Sequence, residues 1–325
     1  MNKYFMTFMA ALLFCAAPVL TSCSDDDDGA TIPQGKANDN KTKMALYDFS
    51  AVYDGDTIYF AIDSTAENEC YVTYGDLSEG YDENFFCYYY KGDVTIPSAV
   101  SMGGKTYKVT GIGLYAFSSC GYLTSVSLPN TITYISDGAF VSTGITDILI
   151  PASVAFVGSH AFGNCQSLPE IRVSSNDYYK SVDGVLYTAD GKTLVQYPAG
   201  KADTTFVIAY PVDSIVKYAF ENCNNLVSVD IESKSLNAIP YTIFSFCKSL
   251  KRVTLPYTIT KIATYAFWSC YALEAVICNA TTPPTLEDRA FYGVNNVIIY
   301  VPQGSVEAYK SAEYWCRYTI KAIEE

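Results

Sequence analysis

The chain has 325 residues, a formal net charge of −13 and 29 tyrosines. It contains 34 Asp and Glu residues against 21 Lys and Arg residues. Since binding to phosphate backbones requires clustered Lys and Arg, we do not expect a nucleic-acid partner. An acidic surface instead favours solubility and basic partners. No Gly-rich phosphate-binding loop follows a strand, and we predict no cofactor.

Residues 1–22 have the pattern of an export signal. Lys3 gives the segment a positively charged N-terminal region. Phe5 to Val19 form an apolar run that is shorter than a typical membrane-spanning helix. The following Leu20-Thr21-Ser22-Cys23 resembles the lipobox of bacterial lipoproteins, which implies that Cys23 is acylated and becomes the mature N-terminus. The alternative is a plain secretory peptide cleaved nearby. Lipid chains hold a protein through buried methylenes, at about 0.8 kcal/mol each, so we expect a membrane anchor at Cys23 without a spanning segment.

Residues 23–43 are polar and begin with four consecutive aspartates, Asp25 to Asp28. Such a segment cannot bury enough apolar surface to fold, and it predicts a flexible tether. The aspartates either serve solvation alone or resemble the acidic export signal of Bacteroidetes surface lipoproteins. The second interpretation implies an outer-membrane lipoprotein exposed outside the cell.

Residues 44–109 lack the repeat described below and contain strand-like runs at Thr57–Ile62 and Cys70–Tyr74. An uncovered end of a repeat stack exposes strand edges and apolar core. We therefore predict that this segment is a β-rich N-terminal cap.

Residues 110–302 carry seven copies of one apolar pattern. Each copy has an aliphatic residue five positions before a phenylalanine and another eight or nine positions after it, and most phenylalanines are 22 to 24 residues apart. A period of about 23 residues predicts a β-rich repeat solenoid in which each coil buries its apolar side on its neighbours. We expect each coil to add one strand to a parallel sheet whose outer side is one continuous surface. The anchoring pairs are Ala116-Phe117, Ala139-Phe140, Ala161-Phe162, Ala219-Phe220, Ile243-Phe244, Ala266-Phe267 and Ala290-Phe291.

The spacing of 58 residues between Phe162 and Phe220 breaks this period. Within it, two strand-like runs flank Asp190-Gly191, a strong hairpin signal. We predict a hairpin inserted near residues 176–200, and Thr205 to Val212 as a degenerate coil.

Residues 303–325 form the expected C-terminal cap, with a helix starting at Ser305 and Glu307 in its first turn. The outward strand positions of the last two coils are apolar, and we expect a helix around Tyr314-Trp315 to cover them. A docking site is the alternative. These positions are Ala275, Ile277, Ile298 and Tyr300.

The repeated Ile-x-x-x-Ala-Phe-x-x-Cys-x-x-Leu-x-x-Val-x-Leu-Pro unit, best seen at Ile112–Pro129 and Ile262–Val276, resembles the BspA-like leucine-rich repeat proteins. The resemblance covers residues 90–315 and implies a right-handed leucine-rich repeat solenoid. Members of that family are associated with adhesion to host extracellular proteins and to other cells. The resemblance therefore implies a binding role and brings no catalytic residues with it.

Five cysteines stand three residues after a repeat phenylalanine, where two other copies have Thr143 and Val294. Because these side chains are similar in volume, we interpret the position as selecting size, with a disulfide ladder as the alternative. No metal site is predicted, since the chain has no CxxC pair and one histidine. We interpret that histidine, His160, as a surface variant. The five cysteines are Cys120, Cys165, Cys223, Cys247 and Cys270.

The outward strand positions are the candidate binding face. Tyrosines beside the Ala-Phe pair, at Tyr115, Tyr218 and Tyr265, should also reach the surface, where tyrosine suits protein interfaces and sugar stacking or simply a β-rich surface. The candidate residues of the face are Asp147, Glu170, Arg172, Asp230, Arg252, Thr254 and Tyr300.

These features favour a surface-anchored adhesion protein that recognises an extracellular or host protein, or a glycan. A non-catalytic structural subunit of an outer-membrane assembly is the second hypothesis. A glycan-active enzyme is the third, resting on paired carboxylates at Asp147 and Glu170 or on His160 chemistry, and we do not predict an enzyme.

Overall fold

The computed structural model describes residues 47–75, 89–209 and 211–324. Over these residues the chain forms a β-solenoid of about nine turns, roughly 23 residues apart, so the predicted repeat fold is confirmed. The predicted export signal, the tether and Cys23 lie outside the described residues. Among the residues that are described, no helix has the length and hydropathy needed to cross a bilayer.

The described residues of the N-terminal cap and the first coils contain eleven strands. In the cap, β1, β2 and β3 are antiparallel neighbours, and β3 pairs in parallel with β6. Through β6 the cap sheet continues into the coils as β6-β8-β10. The strands are β1 (Phe49–Tyr53), β2 (Asp56–Ile62), β3 (Glu69–Thr73), β4 (Gly92–Thr95), β5 (Ala99–Met102), β6 (Lys105–Ile112), β7 (Leu123–Ser127), β8 (Tyr134–Ile135), β9 (Leu149–Ile150), β10 (Phe156–Val157) and β11 (Arg172–Val173).

Three further strands form the insert, and the remaining ones belong to the later coils and the C-terminal cap. They are β12 (Tyr179–Val182), β13 (Val185–Thr188), β14 (Thr193–Gln196), β15 (Thr205–Ile208), β16 (Ser214–Ile215), β17 (Ser228–Ile231), β18 (Ala238–Ile239), β19 (Arg252–Leu255), β20 (Lys261–Ile262), β21 (Ala275–Cys278), β22 (Thr285–Leu286), β23 (Ile298–Val301) and β24 (Thr319–Ala322). The helix α1 spans Val306–Ser311, and short 3-10 helices lie at Gln303–Ser305 and Trp315–Arg317.

Each regular coil contributes two strands rather than the one predicted. The longer strand carries the Val-x-Leu alternation, as in β19, where Val253 and Leu255 are buried and Arg252 and Thr254 point outward. We call the outer side of these longer strands and of their two-residue equivalents, β9 and β11, the front face. The second strand is only two residues long and contains the aliphatic residue that precedes the Ala-Phe pair, such as Ile262 in β20.

The phenylalanines of the repeat stack through the middle of the core. Phe117, Phe140 and Phe162 lie 5.0 and 5.4 Å apart between ring centroids, and all three are fully buried. Phe220, Phe244, Phe267 and Phe291 form the second part of the stack, at 5.2, 5.5 and 4.8 Å. Burying one such side chain contributes about 1.5–3 kcal/mol, and each ring pair adds about 0.5–1.5 kcal/mol.

The insert separates the core into two hydrophobic clusters. It is an antiparallel meander of β12, β13 and β14, so the structure adds a third strand to the hairpin predicted around Asp190-Gly191. Leu186 and Val195 pack in the N-terminal cluster, whereas Val185 and Leu194 pack in the C-terminal cluster. The meander is therefore a wall that both clusters share.

The front face is not one continuous sheet, and that prediction is wrong. β11 pairs with β9, and β15 pairs with β17, but these belong to separate sheets. The turn of the insert lies beside β11 instead, and the Ile171 N–H donates to the Gly184 carbonyl there at 2.8 Å. The insert thus replaces the regular strand pairing at this point.

The C-terminal cap closes the end of the core. Trp315 is fully buried, and its Nε1 donates to the Pro284 carbonyl at 2.7 Å. β24 pairs in parallel with β23 and extends the front sheet by one strand. The prediction that Tyr314-Trp315 covers the apolar outward positions is wrong, because Trp315 packs against Phe291 and Tyr309 at the end of the core. The outward positions, Ala275, Ile277, Ile298 and Tyr300, are half-buried on the front face.

Candidate binding surfaces

The Ala-Phe turns fix where side chains leave the core. In the first regular coil Tyr115 and Ser119, on either side of Phe117, have positive φ angles of 54° and 60°. Their N–H groups and that of Phe117 donate to carbonyls of the next coil at 3.3, 2.9 and 2.8 Å. A non-glycine residue in the left-handed region costs roughly 1–2 kcal/mol, and these inter-coil hydrogen bonds offset it.

The position two residues before the phenylalanine repeats this conformation in every copy. The tyrosines at this position reach outward, with Tyr115 exposed and Tyr218 and Tyr265 half-buried, whereas Thr242 is buried. The residues at this position, all with positive φ, are Tyr115, Gly138, His160, Tyr218, Thr242, Tyr265 and Arg289.

Four tyrosines from consecutive C-terminal coils form a row on this side of the solenoid. Tyr218, Tyr241, Tyr265 and Tyr292 have successive ring centroids 5.8, 6.0 and 6.1 Å apart, each pair in an edge-to-face arrangement. Trp268 joins the row at 5.2 Å from Tyr265. Tyr241 and Tyr292 stand at other positions of the repeat, so the sequence period did not identify them.

On the front face, Asp147 and Arg172 form an ion pair between neighbouring coils. The Arg172 Nε donates to Asp147 Oδ1 at 3.0 Å and its Nη2 donates to Oδ2 at 2.6 Å, a two-pronged contact. Glu170 Oε1 lies 3.8 Å from the same Nε. All three side chains are about half exposed.

A second polar cluster lies on the six-stranded part of the front face. Arg252 Nη2 is 3.2 Å from Asp230 Oδ1, and the Thr254 hydroxyl donates to the same oxygen at 2.5 Å. Thr254 is directly opposite Asp230 in the register of β17 and β19. The cross-strand register therefore brings these three predicted residues together.

The seven candidate residues of the front face do not form one site. Asp147, Glu170 and Arg172 lie before the insert, and Asp230, Arg252 and Thr254 lie after it. Tyr300 lies on β23, between Ile277 and Lys321 of the neighbouring strands. In each cluster an arginine pairs with the carboxylates and partly neutralises them. The charges of both clusters on the front face are therefore paired within the protein.

The carboxylates of the third hypothesis are poorly placed for glycoside hydrolysis. A glycosidase pair needs one carboxyl group held protonated while the other stays ionised. Asp147 and Glu170 instead approach the same guanidinium and are half exposed to water. The two carboxylates therefore share one environment, whereas a glycosidase pair needs two different ones.

His160 is not a surface variant, and that interpretation is wrong. Its Nε2 bonds to Glu221 Oε2, and the two side chains are only 17% and 11% exposed. Its ring also stacks on Tyr218 at 4.6 Å. The Ser245 hydroxyl donates to the other Glu221 oxygen at 3.3 Å. The histidine is therefore at the end of this chain of contacts, whereas a hydrolase triad needs it between the acid and the hydroxyl.

Four of the five repeat cysteines, Cys165, Cys223, Cys247 and Cys270, are buried thiols. Among the described cysteines, Cys316 is the exposed one. Cys247 and Cys270 donate to the carbonyls of Phe220 and Phe244 in the preceding coil, at 3.0 and 2.9 Å. Burial raises the pKa of the Cys270 thiol to about 12 and that of Cys165 to about 11. These thiols are therefore protonated and act as hydrogen-bond donors inside the core. Among the described residues no group of three or more His, Cys, Asp and Glu could hold a metal ion.

The sequence matches the profile of the BspA type leucine rich repeat region, in six copies over residues 85–184 and 200–319. These ranges cover more than half of the chain, so the chain belongs to this family, as the repeat predicts. No curated protein matches the chain significantly.

Similar solved structures are bacterial repeat proteins. A leucine rich cell surface protein from Faecalibacterium prausnitzii is 21% identical, with 81% of this chain and 97% of that chain covered and a TM-score of 0.49. The pneumococcal vaccine antigen PcpA is 14% identical, with 86% and 100% covered and a TM-score of 0.48. A leucine rich repeat protein from T. pallidum is 19% identical, with 81% and 95% covered and a TM-score of 0.26.

Proposed function

We propose that this chain is a lipid-anchored adhesion protein of the bacterial surface whose solenoid binds an extracellular protein or glycan. One observation carries the proposal. Consecutive coils use the same buried Ala-Phe pattern but present different outward side chains at regular spacing, both on the front face and in the tyrosine row. Extended surfaces of this kind are what solenoids use for binding.

The surface location is supported by the sequence of the N-terminal segment and by the family. Leu20-Thr21-Ser22-Cys23 supplies the lipobox and Asp25 to Asp28 supply the acidic export signal. The Faecalibacterium protein is described as a cell surface protein. Anchoring at Cys23 would leave the solenoid outside the outer membrane.

Protease treatment of intact cells tests the location. We expect a non-permeant protease to remove the solenoid from cells that express the wild-type chain. The Cys23→Ala variant should instead be found in a soluble fraction. Complete protection of the wild-type chain, under conditions in which a known surface protein is digested, would place it in the periplasm and contradict the proposal.

An array screen tests the binding role. The full-length chain, held in detergent micelles, is applied to immobilised extracellular matrix proteins, bacterial envelopes and glycans. We expect saturable binding to at least one of these classes. Absence of binding to all of them would contradict the adhesion function whatever the location.

The second candidate is a non-catalytic subunit of an outer-membrane assembly. The half-buried apolar positions Ala275, Ile277 and Ile298 on the front face favour it, because a permanent partner would cover them. Affinity purification from native membranes separates the two functions. A subunit should return one stoichiometric partner, whereas an adhesin should return none.

A further inference from the structure

One surface feature of the later coils has no role in the core. Tyr218, Tyr241, Tyr265 and Tyr292 form a row one ring wide, with Trp268 against Tyr265; we call these five residues the aromatic row. Tyr241 is 38% exposed and Tyr292 is 56% exposed. The apolar interior is already filled by the phenylalanine stack beneath it, so these exposed rings are available to a ligand.

Several charges beside the aromatic row are paired within the protein. His160 bonds to Glu221 at one end of the row. At the other end Glu287 lies 3.1 Å from Lys261, and the Arg289 Nη1 donates to the Tyr265 hydroxyl at 3.0 Å. The Arg289 Nε also lies 3.7 Å from Asp288 Oδ2. A charged polymer would have to compete with these contacts, whereas a neutral ligand would not.

The shape of the row favours a linear polymer over a folded protein. A specific protein interface buries roughly 800 Å² on each partner and is a broad patch. The aromatic row instead extends along the stack, with one tyrosine contributed by each coil and about 6 Å between successive rings. A glycan chain presents sugar rings in the same serial manner, with apolar C–H faces that pack on aromatic rings and hydroxyls that bond to phenol tips.

We propose that the aromatic row is the binding site for a neutral polysaccharide. Successive sugar rings would pack against Tyr241, Tyr265 and Tyr292, and the phenol hydroxyls would fix their orientation. This inference rests on the proposed binding function and specifies its ligand class and its site. The front face, with its paired charges, is not part of this site.

Affinity electrophoresis of the full-length chain in detergent tests the ligand class. The gels contain a mixed-linkage β-glucan, a xylan or a mannan as neutral probes, and a pectin as an anionic probe. We expect retardation by at least one neutral polysaccharide and none by pectin. Stronger retardation by pectin would overturn the inference, because it would show that charge drives the binding.

Matched tyrosine variants test the site. The double variant Tyr241→Ala, Tyr292→Ala should weaken binding by at least about tenfold, as expected when two aromatic anchors are removed. The control variant Tyr257→Ala, Tyr271→Ala removes two tyrosines that are 64% and 57% exposed and lie outside the aromatic row, and it should bind like the wild type. Circular dichroism melts confirm that both variants are folded.

Tryptophan emission gives a second measurement of the site. The chain has two tryptophans, and Trp315 is fully buried, whereas Trp268 is half-buried beside Tyr265. We expect the polysaccharide to shift the tryptophan emission of the wild-type chain. The emission of the Trp268→Phe variant should not shift. An equal shift in Trp268→Phe would overturn the location.

The remaining outcomes separate this inference from the proposed function. If no neutral polysaccharide binds but an extracellular protein does, the glycan inference is wrong and the adhesion function stands. If the Tyr241→Ala, Tyr292→Ala variant loses that protein, the row is a protein site. If neither class binds, both proposals fail.

Discussion

His160 and Glu221 are 61 residues apart in sequence and form a hydrogen-bonded pair across the insert. His160 lies two residues before Phe162, in the coil that ends the N-terminal cluster, and Glu221 follows Phe220 in the C-terminal cluster. Gln166 adds a second link, since its Nε2 donates to the Asn222 carbonyl at 2.8 Å. These polar contacts therefore connect two parts of the solenoid whose phenylalanine stacks the insert interrupts.

Removing the imidazole should weaken the connection between the two clusters. His160→Ala leaves the buried Glu221 carboxylate without its main partner, and we expect a loss of about 1–3 kcal/mol in the free energy of unfolding. A double-mutant cycle with Glu221→Gln, measured by urea denaturation, gives the coupling energy. Asp147→Asn, which breaks the exposed pair with Arg172, is the control and should cost less than about 1 kcal/mol.

The same variants should also change the cooperativity of unfolding. Both tryptophans belong to the C-terminal part, so their fluorescence follows that part, whereas circular dichroism follows the whole chain. In a solenoid, neighbouring units unfold together only if the interface between them is strong enough. We expect the two signals to separate in His160→Ala and to coincide in the wild type; coincident transitions in both would show that the meander alone couples the clusters.

The repeat predicted most of the fold because it recurs. The Ala-Phe pair and the Val-x-Leu alternation each appear in copy after copy, and such patterns identify a solenoid without any long-range information. The second strand of each coil was missed because two residues, such as Lys261 and Ile262, are too short to show alternation. β12 could have been predicted in the same way, because Asp183-Gly184, which joins β12 to β13, is an Asp-Gly turn signal like Asp190-Gly191.

The candidate sites were less predictable because they depend on how coils align. The pair between Asp230 and Thr254 follows from strand register, and a comparison of equivalent positions in neighbouring coils would find it. The pair between His160 and Glu221 does not follow from strand register, because it depends on the path of the insert. Tyr241 and Tyr292 join the aromatic row from different repeat positions, so only the three-dimensional arrangement reveals them.

Thiol labelling should distinguish the buried cysteines from Cys316. The thiols of Cys223, Cys247 and Cys270 are fully buried, and burial raises their pKa above the ordinary value. Since the thiolate is the reactive form, we expect iodoacetamide at pH 8 to modify Cys316 and to leave these three unmodified until urea is added. Peptide mass spectrometry gives the result. Rapid modification of Cys247 in the native chain would contradict the buried position of the repeat thiols.

The same burial predicts a loss of stability at alkaline pH. A thiol titrates near 8.5 in the unfolded chain but near 11 at Cys165 in the folded chain, so the folded state retains a proton that the unfolded state releases. The contribution of the Cys165 thiol to the free energy of unfolding is therefore fully present below about pH 8.5. It decreases as the pH rises towards about 11, by about 1.4 kcal/mol per pH unit.

Cys165→Val provides the matched comparison, because valine occupies the equivalent position at Val294. Urea denaturation at several pH values between 8 and 11 should give a shallower decline for the variant. Buried tyrosines with raised pKa act in the same direction, but they are present in both chains. Identical slopes would contradict a contribution from the Cys165 thiol.

Gly138 should tolerate a methyl group less well than Gly103. Both have positive φ, at 60° and 58°, but a Cβ at Gly138 would overlap the Tyr115 ring, whereas a Cβ at Gly103 would meet open space. Gly103→Ala therefore measures backbone strain alone, about 1 kcal/mol, and Gly138→Ala adds the steric conflict. We expect the second to cost at least about 1 kcal/mol more in thermal or urea denaturation.

Removing the ring tests the cause of that difference. In a Tyr115→Ala background the two glycine substitutions should have similar effects. If Gly138→Ala remains the more harmful one there, the overlap with Tyr115 is not the reason, and the difference arises from the backbone of the turn.

Ile243 is the one departure from alanine before the repeat phenylalanine, and restoring the alanine should destabilise the chain. The Ile243 side chain is fully buried in the C-terminal cluster, and the rings of Phe220 and Phe244 are tilted by 38° beside it, compared with 17° between Phe244 and Phe267. Ile243→Ala would leave a cavity, and removal of a buried Ile costs about 2–5 kcal/mol.

Ile243→Val serves as the graded control, with an expected loss of about 0.5–1.5 kcal/mol in urea denaturation. Consensus substitutions usually stabilise a protein, so a stabilised Ile243→Ala chain would be the contrary result. It would mean that the rings of Phe220 and Phe244 close the space by stacking flat, as the other pairs do. Because both rings lie in the C-terminal cluster, the tryptophan fluorescence of that part reports the outcome directly.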